Sequence, residues 1–264
     1  MRGNARKDDL MMKRLAYSAA ALLITLWCFS FASSEEPAAS TEAKITMIEG
    51  TANVFAKGAT AGLPLKKGNK LKRGQEVRVG ANSRMEIRFP DGTVMRLAEK
   101  SRLVMDEVLY DRKTENKNVK VNLAVGKLWA NVKKLVTPDS TVEVRTSNAV
   151  AGVRGTVYRV NVEEDKSALV KVYDGTVYVA NPPKDESGKP PREVSAPVPV
   201  PGPHEVPPPY HEVTMDEWQV IVQSFQQVTI SPEGIASQPQ NFDPEADADD
   251  WVKWNQERDK QMRF

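Results

Sequence analysis

Few residues of this chain belong to the types that do chemistry, and their placement argues against most reactions. The single cysteine, Cys28, lies in an apolar run near the N-terminus, and the two histidines, His204 and His211, sit beside prolines. A structural disulfide, a cysteine-ligated metal and a covalently attached haem are thereby excluded, and a histidine-rich metal centre would need more ligands. The chain has no EF-hand pattern, no Gly-x-Ser-x-Gly elbow and no phosphate-binding loop. Neither a metal nor a cofactor is expected. Carboxylates do cluster, at Asp106-Glu107 and Glu163-Glu164-Asp165. Neighbours in a strand face opposite ways, however, and a glycosidase needs two carboxylates opposed across a cleft. These runs read as solvated, and the chain reads as a non-enzyme with no catalytic residues.

Two groups of residues are better suited to binding. Lys66, Lys67, Lys70, Lys72 and Arg73 form one basic cluster, suited to an anionic glycan or lipid headgroup, or to guarding a sheet edge against strangers. Trp251, Trp254 and Arg258 lie near the C-terminus at helical spacing, a set that can contact a partner. The formal net charge is only +2, and residues 1–34, with five basic and two acidic residues, carry all of the basic excess and leave the rest nearly neutral. Without a strong basic surplus, nucleic acid is not an expected partner.

The elements that must position these residues fall into four parts. Residues 1–34 place Lys13-Arg14 before an apolar run from Leu15 to Ala32, then small residues and acids. This is the layout of a secretory signal peptide, with an uncleaved membrane anchor as its alternative. Trp27 stands before Cys28 where a lipidated cysteine needs a small residue, so lipidation is not expected.

From residue 45 to 180 short apolar runs alternate with polar residues, as in Met85-Glu86-Ile87-Arg88-Phe89 and Val142-Glu143-Val144-Arg145. That period of two predicts strands with one buried and one wet face. Asp91-Gly92 and Asp174-Gly175 sit between such runs and predict type I′ hairpins. Leu65, Gly68, Leu71, Gly74, Val77 and Gly80 recur every third residue, which suggests stacked strand–turn units. Asp-Gly-Thr-Val at 91–94 and 174–177, and Gly-Thr-Val-Tyr at 155–158 and 175–178, are internal echoes. The fold class expected is all-β, as a jelly-roll-like sandwich or a short β-solenoid.

Residues 181–209 are dense in proline and predict an extended linker. Residues 210–264 predict a small helical region. Thr214-x-x-Glu217 reads as a capping box before a stripe of Trp218, Ile221, Val222 and Phe225, and Asp243-Pro244 reads as the start of a second helix. These apolar faces need something to pack on, either the β domain or a partner.

The stretch Val144-Arg-Thr-Ser-Asn-Ala-Val-Ala-Gly-Val-Arg-Gly-Thr-Val-Tyr-Arg-Val160 resembles the signature of the FecR-domain family. Gly50 to Val54, Leu65 to Gly80, Ser83 to Leu97, Gly126 to Trp129 and Asp174 to Val179 resemble other family segments in the right order. The resemblance covers residues 45–180 and departs at Ser147, where the family usually has proline. It marks Gly152, Arg154, Gly155 and Thr156 as signature residues. The glycines are expected to supply positive φ or close backbone approach. Arg154 is expected to bond loop carbonyls, with contact to an anion or partner as the alternative.

The classical FecR protein is a membrane-spanning regulator with a cytoplasmic anti-sigma domain and a periplasmic part that hears an outer-membrane receptor. The short stretch before the apolar run leaves no room for that cytoplasmic domain, so the resemblance implies a stand-alone, exported periplasmic module. Three function classes follow. One is a non-enzymatic envelope module that binds or scaffolds a protein or glycan. Another is a signal-relay protein acting with a separate membrane or sigma/anti-sigma partner. The third is an unrecognised cell-wall hydrolase.

Overall fold

The computed structural model describes residues 39–182 and 219–262. The predicted signal segment, most of the proline-rich linker, Thr214, Glu217 and Trp218 lie outside the described residues. The strands are β1 (Ala39–Ser40), β2 (Glu42–Glu49), β3 (Ala52–Phe55), β4 (Leu63–Pro64), β5 (Lys70–Lys72), β6 (Glu76–Val79), β7 (Arg84–Arg88), β8 (Val94–Leu97) and β9 (Arg102–Asp111). They continue as β10 (Lys117–Asn131), β11 (Thr141–Arg145), β12 (Val150–Val153), β13 (Val157–Val162), β14 (Ala168–Asp174), β15 (Thr176–Ala180), β16 (Gln219–Gln223), β17 (Gln226–Ile230) and β18 (Gln240–Asn241). One α-helix, α1 (Asp250–Gln261), follows.

The strands form two sheets that share β10. The first runs β4-β3-β6-β9-β10-β11-β12-β15-β16, with β1 beside the far end of β9. The second runs β5-β2-β7-β8-β10-β13-β14-β17-β18. The pairs are antiparallel except β10–β11. Residues 117–125 of β10 lie in the first sheet and 126–131 in the second. The change falls at Gly126, whose φ is +101° and where a Cβ would come within 2.5 Å of Ser101 Cα. Only glycine permits that corner without displacing its neighbour.

The alternating apolar residues meet between the sheets. Leu71, Val77, Met85, Ile87, Leu103, Leu128, Val160, Val172 and Val228 belong to one buried core, enclosed in the manner of a flattened barrel. The sandwich, not a solenoid, is therefore the form the all-β expectation takes. The three-residue spacing has a different cause: Gly68 and Gly74 turn between β4, β5 and β6 with φ of +93° and +81°, while Leu65, Leu71 and Val77 point inward.

The region beyond the linker corrects the sequence reading in part. Ile221, Val222 and Phe225 do not form a helical stripe. Gln219–Gln223 and Gln226–Ile230 are strands that extend both sheets, with Val222, Val228 and Ile230 buried. In Val220-Ile221-Val222 and Val228-Thr229-Ile230 the β-branched residues fit a sheet that is already present, and tertiary pairing overrides the helical spacing. The helix also starts later than Asp243-Pro244, which open a turn. Its N-cap is Asp249, whose carboxylate accepts from Val252 N at 2.8 Å.

The Asp-Gly pairs diverge too. Asp91-Gly92 does turn β7 into β8, with Phe89 N donating to Thr93 O at 2.8 Å. Gly92 is left-handed but Asp91 is not, so the turn is not type I′. Asp91 instead accepts from Thr93 N and Oγ1, and from the buried Lys117 ammonium. Asp174-Gly175 is no hairpin. It is where the chain crosses from the second sheet to the first.

Candidate functional site

A row of side chains crosses the outer face of the second sheet. The registers set Glu86 opposite Arg96, Arg96 opposite Trp129, Trp129 opposite Arg159 and Arg159 opposite Lys171. Period-two alternation predicts this face to be wet. It is covered instead by the C-terminal segment, and Glu86, Arg96, Trp129 and Arg159 are all buried.

Two aspartates of that segment grip the row. Asp259 on α1 accepts from Arg96 Nη1 at 2.8 Å and from Trp129 Nε1 at 2.9 Å. Asp247, in the turn before the helix, accepts from Arg159 Nη2 at 2.6 Å, Lys171 Nζ at 2.7 Å and the Tyr173 hydroxyl at 2.6 Å. In return α1 places Arg258 Nη2 3.0 Å from Glu86, which also pairs with Arg96 at 2.8 Å and accepts from Thr46 Oγ1 at 2.6 Å. Between the two grips a small apolar cluster forms from Val252, Trp129 and Tyr173, with Phe242 and Trp251 against it. The Trp129 and Tyr173 rings lie 4.6 Å apart.

The electrostatics follow from this pairing. Burial by itself would push the Glu86 carboxyl up. The Thr46 hydroxyl and the Arg96 and Arg258 guanidiniums outweigh it and hold the carboxyl below its ordinary value. Burial, then donation to Asp247, pushes the Tyr173 phenol up. An acid held ionised and a phenol held neutral have no proton to exchange near neutral pH. The arrangement can bind and position.

Trp251, Trp254 and Arg258 are brought together at the rim of this seat. The two indoles stack with centroids 5.3 Å apart, and the Arg84 guanidinium lies 4.2 Å from the Trp254 ring. Each of the three is half-buried. Trp251 also lines an open cleft of about 1130 Å³ with Arg84, Glu99, Lys127, Glu163 and Asp250. Its acids and bases are mixed, so it presents no single charge.

The signature residues lie elsewhere. Gly155 has φ +106°, and a Cβ there would stand 2.8 Å from Lys134 Cα. Gly175, the other crossing, would meet Gly155 O at 2.8 Å, and Thr156 Oγ1 donates to Thr176 O at 2.9 Å. The echo of Gly-Thr-Val-Tyr therefore marks two sheet-to-sheet corners packed on each other. Gly152 departs from expectation: its φ is not left-handed, and a Cβ would meet only Tyr178 O at 3.9 Å. Arg154 is exposed and donates to Thr137 O at 3.2 Å, a loop carbonyl. In the basic cluster, Lys70 and Lys72 both pair with Glu42, on the edge strand β5 and its neighbour β2.

Sequence reasoning missed Glu86, Arg96, Asp247 and Asp259. A charged residue on a strand's polar face reads as solvated, and only the docked helix makes it otherwise. The one available signal was Trp129 beside Lys127 on β10, a large aromatic on a face predicted to be wet.

Residues 75–178 match the family model described as FecR protein. The match identifies a FecR domain within the chain. The matched part of the FecR domain begins just before β6 and ends within β15, so it includes Arg96, Trp129 and Arg159 but not α1. Two crystal structures of a candidate anti-sigma factor from Parabacteroides distasonis, at 1.65 and 2.50 Å resolution, are similar to the chain. They share 19% and 18% identity with it, each at a TM-score of 0.42 and with 64% of this chain covered. The chain spans 60% of the length of those proteins. No curated protein matches the chain in sequence.

Proposed function

We propose that this chain is a non-enzymatic, exported receiving module of a FecR-type signal relay, acting with a separate membrane-bound or sigma/anti-sigma partner. The FecR-domain match supports the relay class. The N-terminal sequence pattern supports export to the periplasm or cell envelope. The observation that carries the reading is the seat of α1. It is held by Asp247 and Asp259 on a row of cations and N–H donors, with only a small apolar cluster between them. Such a face reads carboxylates in fixed geometry, which is a task of recognition. Trp251, Trp254 and Arg258 at its rim keep exposed surface for a protein partner, and the cleft beside Trp251 adds depth.

The test is cross-linking in the envelope of cells that carry the full chain, either wild-type or with Trp254→Ala. Capture of a membrane protein with a cytoplasmic regulatory part, lost in the variant, supports the relay. Recovery of glycan alone favours a scaffold. Release of soluble fragments from purified cell wall by the purified protein would refute the non-enzymatic reading.

A further inference from the structure

The outer edges of the two sheets are guarded unequally. β4 is two residues long and contains Pro64, and β18 is also two residues long. β5 carries Lys70 and Lys72 on either side of Leu71. Short strands, proline and lysine are the ordinary means of keeping an edge from pairing. β16 has none of them. It is five residues, Gln-Val-Ile-Val-Gln, without charge, and among the described strands it pairs only with β15.

The sequence of β16 reads the same in both directions. Ile221 at its centre is 51% exposed, and Tyr178, directly opposite on β15, is 42% exposed. Val222 faces the core.

We infer that the β16 edge is a pairing site for a second copy of this chain. A two-fold axis perpendicular to the first sheet passes beside Ile221. Antiparallel pairing then sets Ile221 against Ile221 of the second copy, Val220 against Val222, and Gln219 against Gln223. Inward residues meet inward residues, outward meet outward, and no like charges oppose, as an isologous interface requires. Lysine-bearing β5 could not pair with itself without opposing like charges. On the outer face the row Tyr178-Ile221 runs on into its symmetry mate, covering apolar surface that each copy otherwise exposes. Gln223 N–H at the strand end is engaged by Gln226 Oε1 at 3.0 Å, so the ladder centres on residues 220–222. Five residues make a ladder of about 17 Å. A contact confined to one such ladder and its flanking side chains buries less than the roughly 1,200 Å² typical of a stable interface, so the dimer is weak and concentration-dependent. This inference does not rest on the relay reading.

The test is sedimentation of the full chain over about three decades of concentration. The wild type is expected to move from monomer toward dimer, and Ile221→Glu to weaken association at least about tenfold. Circular dichroism checks that the variant keeps its strands. In a Cys28→Ser background, Ile221→Cys is expected to cross-link on mild oxidation. Opposed Cα atoms of an antiparallel pair lie about 4.5–5.5 Å apart, within disulfide reach. Leu63→Cys on β4, more exposed to oxidant than residue 221, should not cross-link. If Ile221→Glu fails to fold, the cysteine pair decides. A wild type that stays monomeric throughout, a dimer that survives Ile221→Glu in folded protein, or equal cross-linking at 63 and 221 overturns the inference.

Discussion

Arg96→Met tests most directly how the C-terminal helix is held. The guanidinium is fully buried and sits 2.8 Å from both Glu86 and Asp259. Methionine fills much of the same space without charge, so the change removes a cation from between two carboxylates with little cavity. Removing one partner of a buried pair costs about 3–5 kcal/mol, chiefly because the other charge is left uncompensated. Here Glu86 keeps Arg258 and Thr46, while Asp259 keeps Trp129 and is 15% exposed. The expected loss is therefore near the lower end, about 3 kcal/mol. With a urea slope of about 2–3 kcal/mol/M, the unfolding midpoint should fall by roughly 1–1.5 M at unchanged slope. Glu86→Gln should cost less in the Arg96→Met background than in the wild type, because the Arg96 pair it breaks is already gone. Hydrogen exchange should place the first loss of protection in the amides of α1. An Arg96→Met protein within 1 kcal/mol of wild type, or a Glu86→Gln change that simply adds its own cost, would show that the network does not hold the helix.

Four further outcomes are expected. Gly155→Val should destabilise by about 2–4 kcal/mol through positive φ and the approach of Lys134, whereas Gly152→Ala should stay within about 0.5 kcal/mol; equal effects in denaturant unfolding would refute the contrast. Glu86 is depressed in the folded state from an ordinary value of 4.5, so its contribution is complete above that pH and is lost as pH falls through its lower folded value. Protection of α1 should therefore weaken only in acid below 4.5, and less steeply in Glu86→Gln; weakening between pH 6 and 8 would contradict the assignment. Asp247→Asn should raise the exchange rate of the segment before α1, since three donors lose a charged acceptor at a cost of about 1.5–3 kcal/mol. Finally, intact mass of protein from the periplasm should lack the signal segment up to about residue 32–34, and an uncleaved chain in the inner membrane would favour the anchor.

The β body was legible in the sequence because one rule sufficed for it. Met85, Ile87 and Phe89 alternate with Glu86 and Arg88, and a single buried face follows without knowledge of the partner strand. The corners at Gly155 and Gly175 were legible as glycines but not as a pair, since nothing local says that two crossings twenty residues apart will touch. Ile221 and Val222 misled because apolar residues at helical spacing also occur by chance in a strand buried on one face. The choice between the two lies in β15, the strand it pairs with. The seat of α1 was least legible. Glu86 and Asp259 are ordinary surface acids until distant segments meet.

Those distant meetings have a consequence for the order of events as the chain is made. Arg96 and Asp259 are 163 positions apart, and Glu86 and Arg258 are 172. A nascent chain can lay down β2 to β15 and pair them largely with near neighbours, while Trp129, Tyr173 and the buried cations wait uncovered. Long closures of this kind form late and slowly. During that interval the second sheet shows an aromatic and charged face that any acidic, amphipathic segment could occupy. The last helical turns of the described chain therefore act as a built-in occupant of their own sheet, arriving after the body is finished and closing it against substitutes.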